Sequence, residues 1–495
     1  MSHAPTRIVT ESGPVQGKLM DGAVRFFGIP YAAPTGGQGR FRAPAPRPGW
    51  LGALDATGPP QPALQPDPHG SGAIVGTEDC LRLDISVPAD STGPHPVLVW
   101  LHGGAFTSGS ADEPHTRPRA FCARGIVVVS VRYRLGILGW LRLAAHDPAL
   151  GDGNLGLLDQ IAALHWVRRN IAAFGGDPSQ VTLMGQSAGA MSIAALLAAP
   201  RAAGTFQRAI LQSGAGDHVM TTDEADDLTM RVAAAARAAN PLDLMTRPAI
   251  ELLAAQRSVM IDDARTRNTR FRGARLLTFC PVGGTPTLPV AAVDAVRSSQ
   301  ATLVPVIVGA NADEMRAWPD RWVTEATGRS WLEGTGLSVP DRVWDHYGAT
   351  AGLEPAQVMA AIKTDLFFRL PGVRLARAVA ETGCPVWHYD FRWPASLPGV
   401  GSAHSLELRF VFGTLDDAAA ALTHAGAPAV LAAGIPAAWA AMAAHGRPNL
   451  NDCWGENWRS FNDRGETLVL DTEIRHDAEF ADSLSAAWGR PRASG

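Results

Sequence analysis

The stretch Val181-Thr182-Leu183-Met184-Gly185-Gln186-Ser187-Ala188-Gly189-Ala190 constrains the fold more than any other. An apolar run rich in β-formers meets Gly-Gln-Ser-Ala-Gly, and Met191 to Ala199 follows as a helix of small residues closed by Pro200. Strand, sharp turn and helix, with a serine at the apex, is the context in which G-x-S-x-G presents a nucleophile. The glycines have a steric task, because a Cβ at either flanking position would strike the adjoining strand or helix. The pattern needs that context. With 51 glycines in 495 residues, about one serine in a hundred would be flanked this way by chance.

The surroundings supply a sheet for the turn to sit on. Pro96-Val97-Leu98-Val99-Trp100-Leu101 and Gly125-Ile126-Val127-Val128-Val129-Ser130-Val131 are apolar without alternation, as strands buried on both faces of a parallel sheet are. Leu157, Ile161, Leu164 and Ile171 recur at helical spacing before Gly175-Gly176. Further strands are predicted at Ala209–Leu211, Val304–Val308, Pro385–Phe391 and Leu468–Leu470, and a short meander over residues 8–31. Strands alternating with helices indicate an α/β fold with a mostly parallel sheet covered on both faces. No repeat or linker divides the chain, so 1–495 reads as a single domain. A helical insertion is expected around 220–300, and residues 59–76, rich in proline and glycine, read as a long surface loop.

A serine hydroxyl is a weak nucleophile near neutral pH and needs a histidine base, itself oriented by a carboxylate. On this kind of sheet the order along the chain is Ser, then Asp or Glu, then His. After the Val304–Val308 strand, Gly309-Ala310-Asn311-Ala312-Asp313-Glu314 offers two adjacent carboxylates. The later histidines are His346, His388, His404, His424, His445 and His476. His388 falls mid-strand, whereas His404 ends the glycine-rich loop Gly399-Val400-Gly401-Ser402-Ala403-His404 and can swing towards an elbow. Oxyanion donors are expected from the turn His102-Gly103-Gly104-Ala105 and from the Ala188 amide at a helix N-terminus.

Composition narrows the remaining classes. A net charge of −4 and pI near 6.4 give no reason to expect nucleic acid or an anionic membrane as partner. No apolar run of about 18 residues occurs, so no membrane span is expected; the Ala-rich segment 418–444 is broken by Pro428, Pro436 and charges. Five cysteines (Cys80, Cys122, Cys280, Cys384, Cys453) with no CxxC pair fit reduced thiols. Together with a start lacking a basic, then apolar, leader, they give a cytoplasmic expectation. No HExxH or Cys/His cluster suggests a metal, and no cofactor is called for.

Taken in order, many motifs make the chain resemble the type-B carboxylesterases, the group of bacterial para-nitrobenzyl esterases, animal carboxylesterases and cholinesterases. They include Phe27-Gly28-Ile29-Pro30-Tyr31-Ala32, Arg40-Phe41, Thr77-Glu78-Asp79-Cys80-Leu81-Arg82-Leu83-Asp84 and His102-Gly103-Gly104-Ala105-Phe106. Tyr133-Arg134-Leu135-Gly136, Gly153-Asn154-Leu155-Gly156-Leu157-Leu158-Asp159-Gln160 and Phe174-Gly175-Gly176-Asp177-Pro178 follow, then the elbow, Gln212-Ser213-Gly214, Asp313-Glu314 and His404 to Gly413. The resemblance implies an α/β-hydrolase fold, an esterase acting on a small-molecule ester, Ser187 as nucleophile, His404 as base and Glu314 as orienting acid. It further implies oxyanion donors on Gly104, Ala105 and Ala188, Gly103 shaping the turn, Ser213 behind the histidine, and structural ion pairs Arg40–Glu78 and Arg134–Asp177.

Several positions depart from the family pattern. Glu314 is followed by Met315-Arg316-Ala317-Trp318 where glycine is usual next, which places Arg316 and Trp318 as candidates for a reshaped wall; Arg132 stands for the usual asparagine and Arg409 for a common proline. Gorge walls are expected from 60–76, 106–118, 268–285 and 315–335. An acyltransferase, carbamate hydrolase or amidase would use the same triad, and a non-catalytic binding protein of this fold is the reading from another class. A monomer is expected.

Overall fold

In the computed structural model, the described residues are 4–67, 70–89, 93–216, 218–266, 276–318, 320–335, 337, 339–349, 352–448, 454 and 457–488. The fold is built on an 11-stranded sheet. In chain order its strands are β1 (Lys18–Met20), β2 (Ala23–Pro30), β3 (Arg82–Pro88), β4 (His95–Leu101), β5 (Val127–Val131) and β6 (Gly176–Gln186). β7 (Arg208–Gln212), β8 (Val306–Asn311), β9 (Val386–Phe391), β10 (Thr467–Leu470) and β11 (Arg475–Asp477) complete it. Across the sheet the order is β11-β10-β9-β8-β7-β6-β4-β5-β3-β2-β1. From β5 through β4 to β10 every neighbouring pair is parallel, while β1 to β3 at one edge and β11 at the other pair antiparallel. The sequence therefore gives an α/β-hydrolase fold, as expected.

Alternation along each strand decides which layer a side chain joins. Val97, Val99 and Leu101 of β4, Leu183 of β6 and Val306 and Val308 of β8 point to one face. There they meet helices α1 (Leu155–Asn170), α2 (Ala188–Ala198) and α3 (Leu370–Glu381). Leu98, Trp100, Met184, Ile210 and Ile307 point the other way, against Leu431, Ile435, Trp439 and Met442 of α4 (Ala429–His445). Both faces are covered, which explains why runs such as Val97–Leu101 of β4 and Val306–Val308 of β8 are apolar without alternation. β3 is different: Arg82, Asp84 and Ser86 alternate with apolar residues, and the strand is absent from the apolar-run expectation for that reason.

Between 220 and 300 the chain forms helices Thr222–Ala235, Ala249–Thr266 and Ala292–Arg297. The first starts at a capping box, Thr221 with Glu224, which satisfies orphan amides of its first turn. Residues 59–76 are less open than the composition implies. Gln65–Pro66 pairs antiparallel with Ile74–Val75, and the buried Gln65 side chain accepts from Gly109 N at 2.8 Å and donates to its oxygen at 2.9 Å.

Three buried arginines tie the layers. Arg40 pairs with Glu78 through Nε at 2.8 Å, as the motif implied. Arg134 does not reach Asp177. It forms a two-pronged pair with Asp159, Nε to Oδ2 at 2.8 Å and Nη2 to Oδ1 at 2.6 Å. Asp159 lies on α1 inside the core, whereas Asp177 sits at the start of β6 and accepts from Ser179 and Gln180 instead. Arg132, with no exposed side-chain area, holds Asp84 bidentately at 2.8 and 3.0 Å and reaches Asp112 at 3.2 Å. Burying such a cation is tolerable only because its carboxylates are buried with it.

Cys80, Cys122 and Cys384 are free thiols, and Cys453 lies outside the described residues. Burial pushes Cys80 and Cys122 up to about 12, so both remain protonated. Among the described residues no helix is long and apolar enough to cross a membrane, and no cluster of three or more His, Cys, Asp or Glu is placed to hold a metal ion.

Candidate active site

β4 lies between β5 and β6, so the chain leaves β4 towards one side and returns on the other. At such a reversal the loops beyond the strand ends diverge and leave a crevice, which is where ligands bind on open α/β sheets. β4 runs into His102-Gly103-Gly104 and β6 into Ser187, and the pairing of Gly185 with Leu101 sets the two turns side by side.

Ser187 has φ 55° and ψ −126°, a conformation that costs on the order of 1–3 kcal/mol for a residue with a Cβ. The surroundings leave it no alternative. Its amide donates to Gln212 O at 2.9 Å and its carbonyl accepts from Met191 N at 2.9 Å. A Cβ on Gly185 would lie 2.6 Å from Gly189 C, and one on Gly189 would lie 2.0 Å from Leu101 O. Strand and helix therefore approach at backbone contact on both sides of the serine, and Ala188 becomes the first residue of α2, its amide one of the four without an intrahelical acceptor.

The turn after β4 is equally confined. Gly104 takes φ +114°, and a Cβ there would stand 2.1 Å from Ser108 O. Ala105 and Phe106 also have positive φ. The Gly104 carbonyl accepts from Thr107 N and Ser108 N, turning the strip so that the amides of Gly104 and Ala105 donate to no backbone acceptor among the described residues. Gly103 packs on the elbow, where a Cβ would meet Gln186 O at 2.9 Å and Ser187 Cβ at 3.1 Å. His102 stacks on Tyr133 with centroids 4.6 Å apart and bonds Gly103 O through Nδ1 at 2.8 Å. Burial pulls it down to about 4, so it is neutral and braces the turn.

His404 and Glu314 come from the loops beyond β9 and β8. Nδ1 of His404 lies 2.5 Å from Oε2 of Glu314, whose Oε1 accepts from Asn311 N at 2.7 Å. Glu314 is completely buried. Of the two adjacent carboxylates it is the one that meets the imidazole. Asp313 turns outward, accepting from Ser402 N at 3.0 Å and pairing with Arg316 at 3.3 Å. Burial works to lower the His404 pKa, but the charge and hydrogen bond of Glu314, aided by Glu407, outweigh it and hold the group above the ordinary imidazole value.

Nε2 of His404 is met by the side-chain amide of Gln186 at 3.1 Å, and Ser187 Oγ makes no hydrogen bond to it in this resting arrangement. Two aromatic rings flank the imidazole, Phe368 at 5.1 Å and Trp318 at 5.9 Å between centroids. Phe368 lies in a π-helical turn, Asp365–Arg369, whose extra residue per turn rotates it inward. Behind Glu314, Glu407 accepts from Asn311 Nδ2 at 2.7 Å and Gln212 Nε2 at 3.2 Å. Burial, then the charge of Glu314, pushes Glu407 up to about 7. Ser213 has its hydroxyl buried without a protein partner and forms no bond to His404 or Glu314; its amide donates to Gly309 O at 2.8 Å.

The expected Ser187, Glu314, His404, Gly103, Gly104, Ala105 and Ala188 thus gather beyond the C-terminal ends of the central strands, with Trp318 from the reshaped segment beside them. Gln186, Asn311, Phe368 and Glu407 had no assigned part. Only Glu407 left a signal, as a carboxylate three residues after His404.

The carboxylesterase family model matches residues 4–335 and 339–485. A para-nitrobenzyl esterase of Bacillus subtilis is 37% identical over 492 residues, covering 94% of this chain and 95% of that one. A phenmedipham hydrolase of Pseudarthrobacter oxydans is 37% identical over 435 residues, 82% of each chain. Among solved structures, a carboxylesterase of Geobacillus stearothermophilus superposes with a TM-score of 0.86 at 32% identity, covering 98% of this chain and all of that one.

Proposed function

The chain belongs to the carboxylesterase family and is a carboxylic-ester hydrolase, and from that premise we propose that Ser187, His404 and Glu314 carry the reaction. Glu314 fixes the tautomer with hydrogen on Nδ1 and leaves the Nε2 lone pair to accept. On substrate entry Gln186 yields Nε2 to the Ser187 hydroxyl. His404 takes the hydroxyl proton as Oγ bonds to the ester carbonyl carbon, and the oxygen becomes an oxyanion held by the Gly104, Ala105 and Ala188 amides. As the carbon–oxygen bond to the alcohol breaks, the imidazolium returns its proton to the departing oxygen. Water repeats the sequence on the acyl-enzyme and releases the acid.

The observation that carries this reading is the strained serine at the strand reversal together with the 2.5 Å Glu314–His404 contact at the same end of the strands. Ser187→Ala is expected to lower turnover of a chromogenic short-chain ester by several orders of magnitude with folding unchanged. Activity surviving that change would refute the assignment. The free thiols of Cys80, Cys122 and Cys384 support a reducing, cytoplasmic setting. The family match, continuous over 4–335 and 339–485, supports one catalytic domain, with the helices between 220 and 300 read as its helical insertion.

A further inference from the structure

We propose that His218 is a positioning residue for the reaction, setting the π-helical turn Asp365–Arg369 that seats Phe368 against His404. The inference deepens the triad assignment above and rests on it.

A proline creates the need. In an α-helix each carbonyl accepts from the amide four residues further on. For Phe367 that residue is Pro371, which has no N–H and whose ring crowds the same carbonyl. The chain opens here into a π turn, and Leu370 N reaches back to Asp365 O. Phe367 O, without its α-helical donor, lies 2.8 Å from Nε2 of His218. A carbonyl only accepts, so His218 carries hydrogen on Nε2. Both residues are buried, and a buried carbonyl is costly to leave without a donor.

Other groups hold the two ends of the turn, and His218 governs its middle. Asp365 accepts from the Tyr347 hydroxyl and from Arg369 Nη1 at 2.7 Å, while Arg369 Nε donates to Asp390 at 3.0 Å. Thr364 Oγ1, just before the turn, accepts at 3.1 Å from Met315 N, the residue after Glu314. His218 follows β7, whose Gln212 O takes the Ser187 amide, and Met220 beyond it is bonded to Pro281 and Gly283. One frame therefore spaces the elbow, the acid and the turn. The His218 ring borders Phe368 at 6.5 Å, and Phe368 packs against the imidazole at 5.1 Å between centroids. The imidazole has to move only between Gln186 and the Ser187 hydroxyl, and a ring seated against it blocks other rotations. Without the His218 bond the turn relaxes, Phe368 withdraws, and Nε2 strays from both partners.

The test separates positioning from packing. kcat and KM are measured on ethyl acetate and ethyl benzoate for the wild type, Ser187→Ala, His218→Leu, His218→Gln, His218→Asn, Phe368→Ala and the double variant His218→Leu/Phe368→Ala. His218→Leu is expected to lower kcat about tenfold on both esters, with KM within about twofold. His218→Gln places an amide nitrogen near the site of Nε2 and should bring kcat to within about threefold of the wild type, whereas the shorter His218→Asn should not. Because His218 acts through Phe368, the double variant should be no slower than Phe368→Ala alone. An unchanged kcat in His218→Leu, equal kcat for His218→Gln and His218→Asn, or a double-variant loss equal to the product of the two single losses overturns the assignment. If His218→Leu does not fold, the comparison of His218→Gln with His218→Asn decides in the same way. Turnover retained by Ser187→Ala would instead refute the triad, a result that no change of His218 can imitate.

Discussion

The side-chain amide of Gln186 donates to Nε2 of His404 at 3.1 Å, occupying the position that the Ser187 hydroxyl takes in the proposed reaction. Gln186 is uncharged, so the positive form of His404 is favoured by Glu314 and the more distant Glu407 alone. Because its pKa is raised, the acid limb of kcat/KM is expected above the roughly 6.5 of a free imidazole. A carboxylate in place of the amide favours the charged ring further. Gln186→Glu should therefore shift that limb upward by about one unit, read from the pH profile on a neutral ester. A limb that stays in place means residue 186 does not face the base.

Burial, then the charge of Glu314, pushes Glu407 up to about 7, with the Asn311 hydrogen bond and the His404 charge offsetting only part of the rise. Its folded value is raised above the unfolded value of about 4.3, so the folded state is favoured fully below that pH. The advantage is lost as pH climbs through 7, by roughly 3–4 kcal/mol over the window. Denaturant unfolding at pH 5 and pH 8 should show this loss in the wild type and a smaller one in Glu407→Gln. The same variant should lower the acid limb of kcat/KM, since the ionised Glu407 helps to raise His404.

Gly104 tests the oxyanion donors separately from the triad. A methyl group there meets Ser108 O and strains a backbone at φ +114°, so the strip must move. Gly104→Ala is expected to lower kcat by about 10²–10³-fold with KM little altered. Labelling of Ser187 by an organophosphate should be slowed alongside, whereas a change in KM alone would argue that the strip contacts the substrate ground state.

Much of this arrangement was legible because backbone demands repeat in sequence. Gly185 and Gly189 flank Ser187 for reasons of contact distance, and the runs Val97–Leu101 of β4 and Val306–Val308 of β8 are apolar because both faces of the sheet are covered. Pairings made across the fold were less so. Arg134 could meet either Asp159 or Asp177 as far as spacing goes, and only the packing of α1 decides for Asp159. β3 escaped notice because Asp84 is there to hold Arg132, so polarity interrupts the apolar run. Phe368 depends on a π-helical turn that leaves the 3.6-residue period, and Gln186 acts through a rotamer.

The two turns that carry Ser187 and the Gly104–Ala105 amides grow from adjacent strands locked by the same ladder, Gly185 beside Leu101. Their spacing is a dimension of the sheet, as fixed as the pitch of a screw thread. The rim residues Arg316 and Trp318 lie just past Glu314 on the loop that follows β8. Changing the residues beyond Glu314 alters the rim and leaves that strand-set spacing untouched, so a chain of this design can be re-tooled from the rim alone.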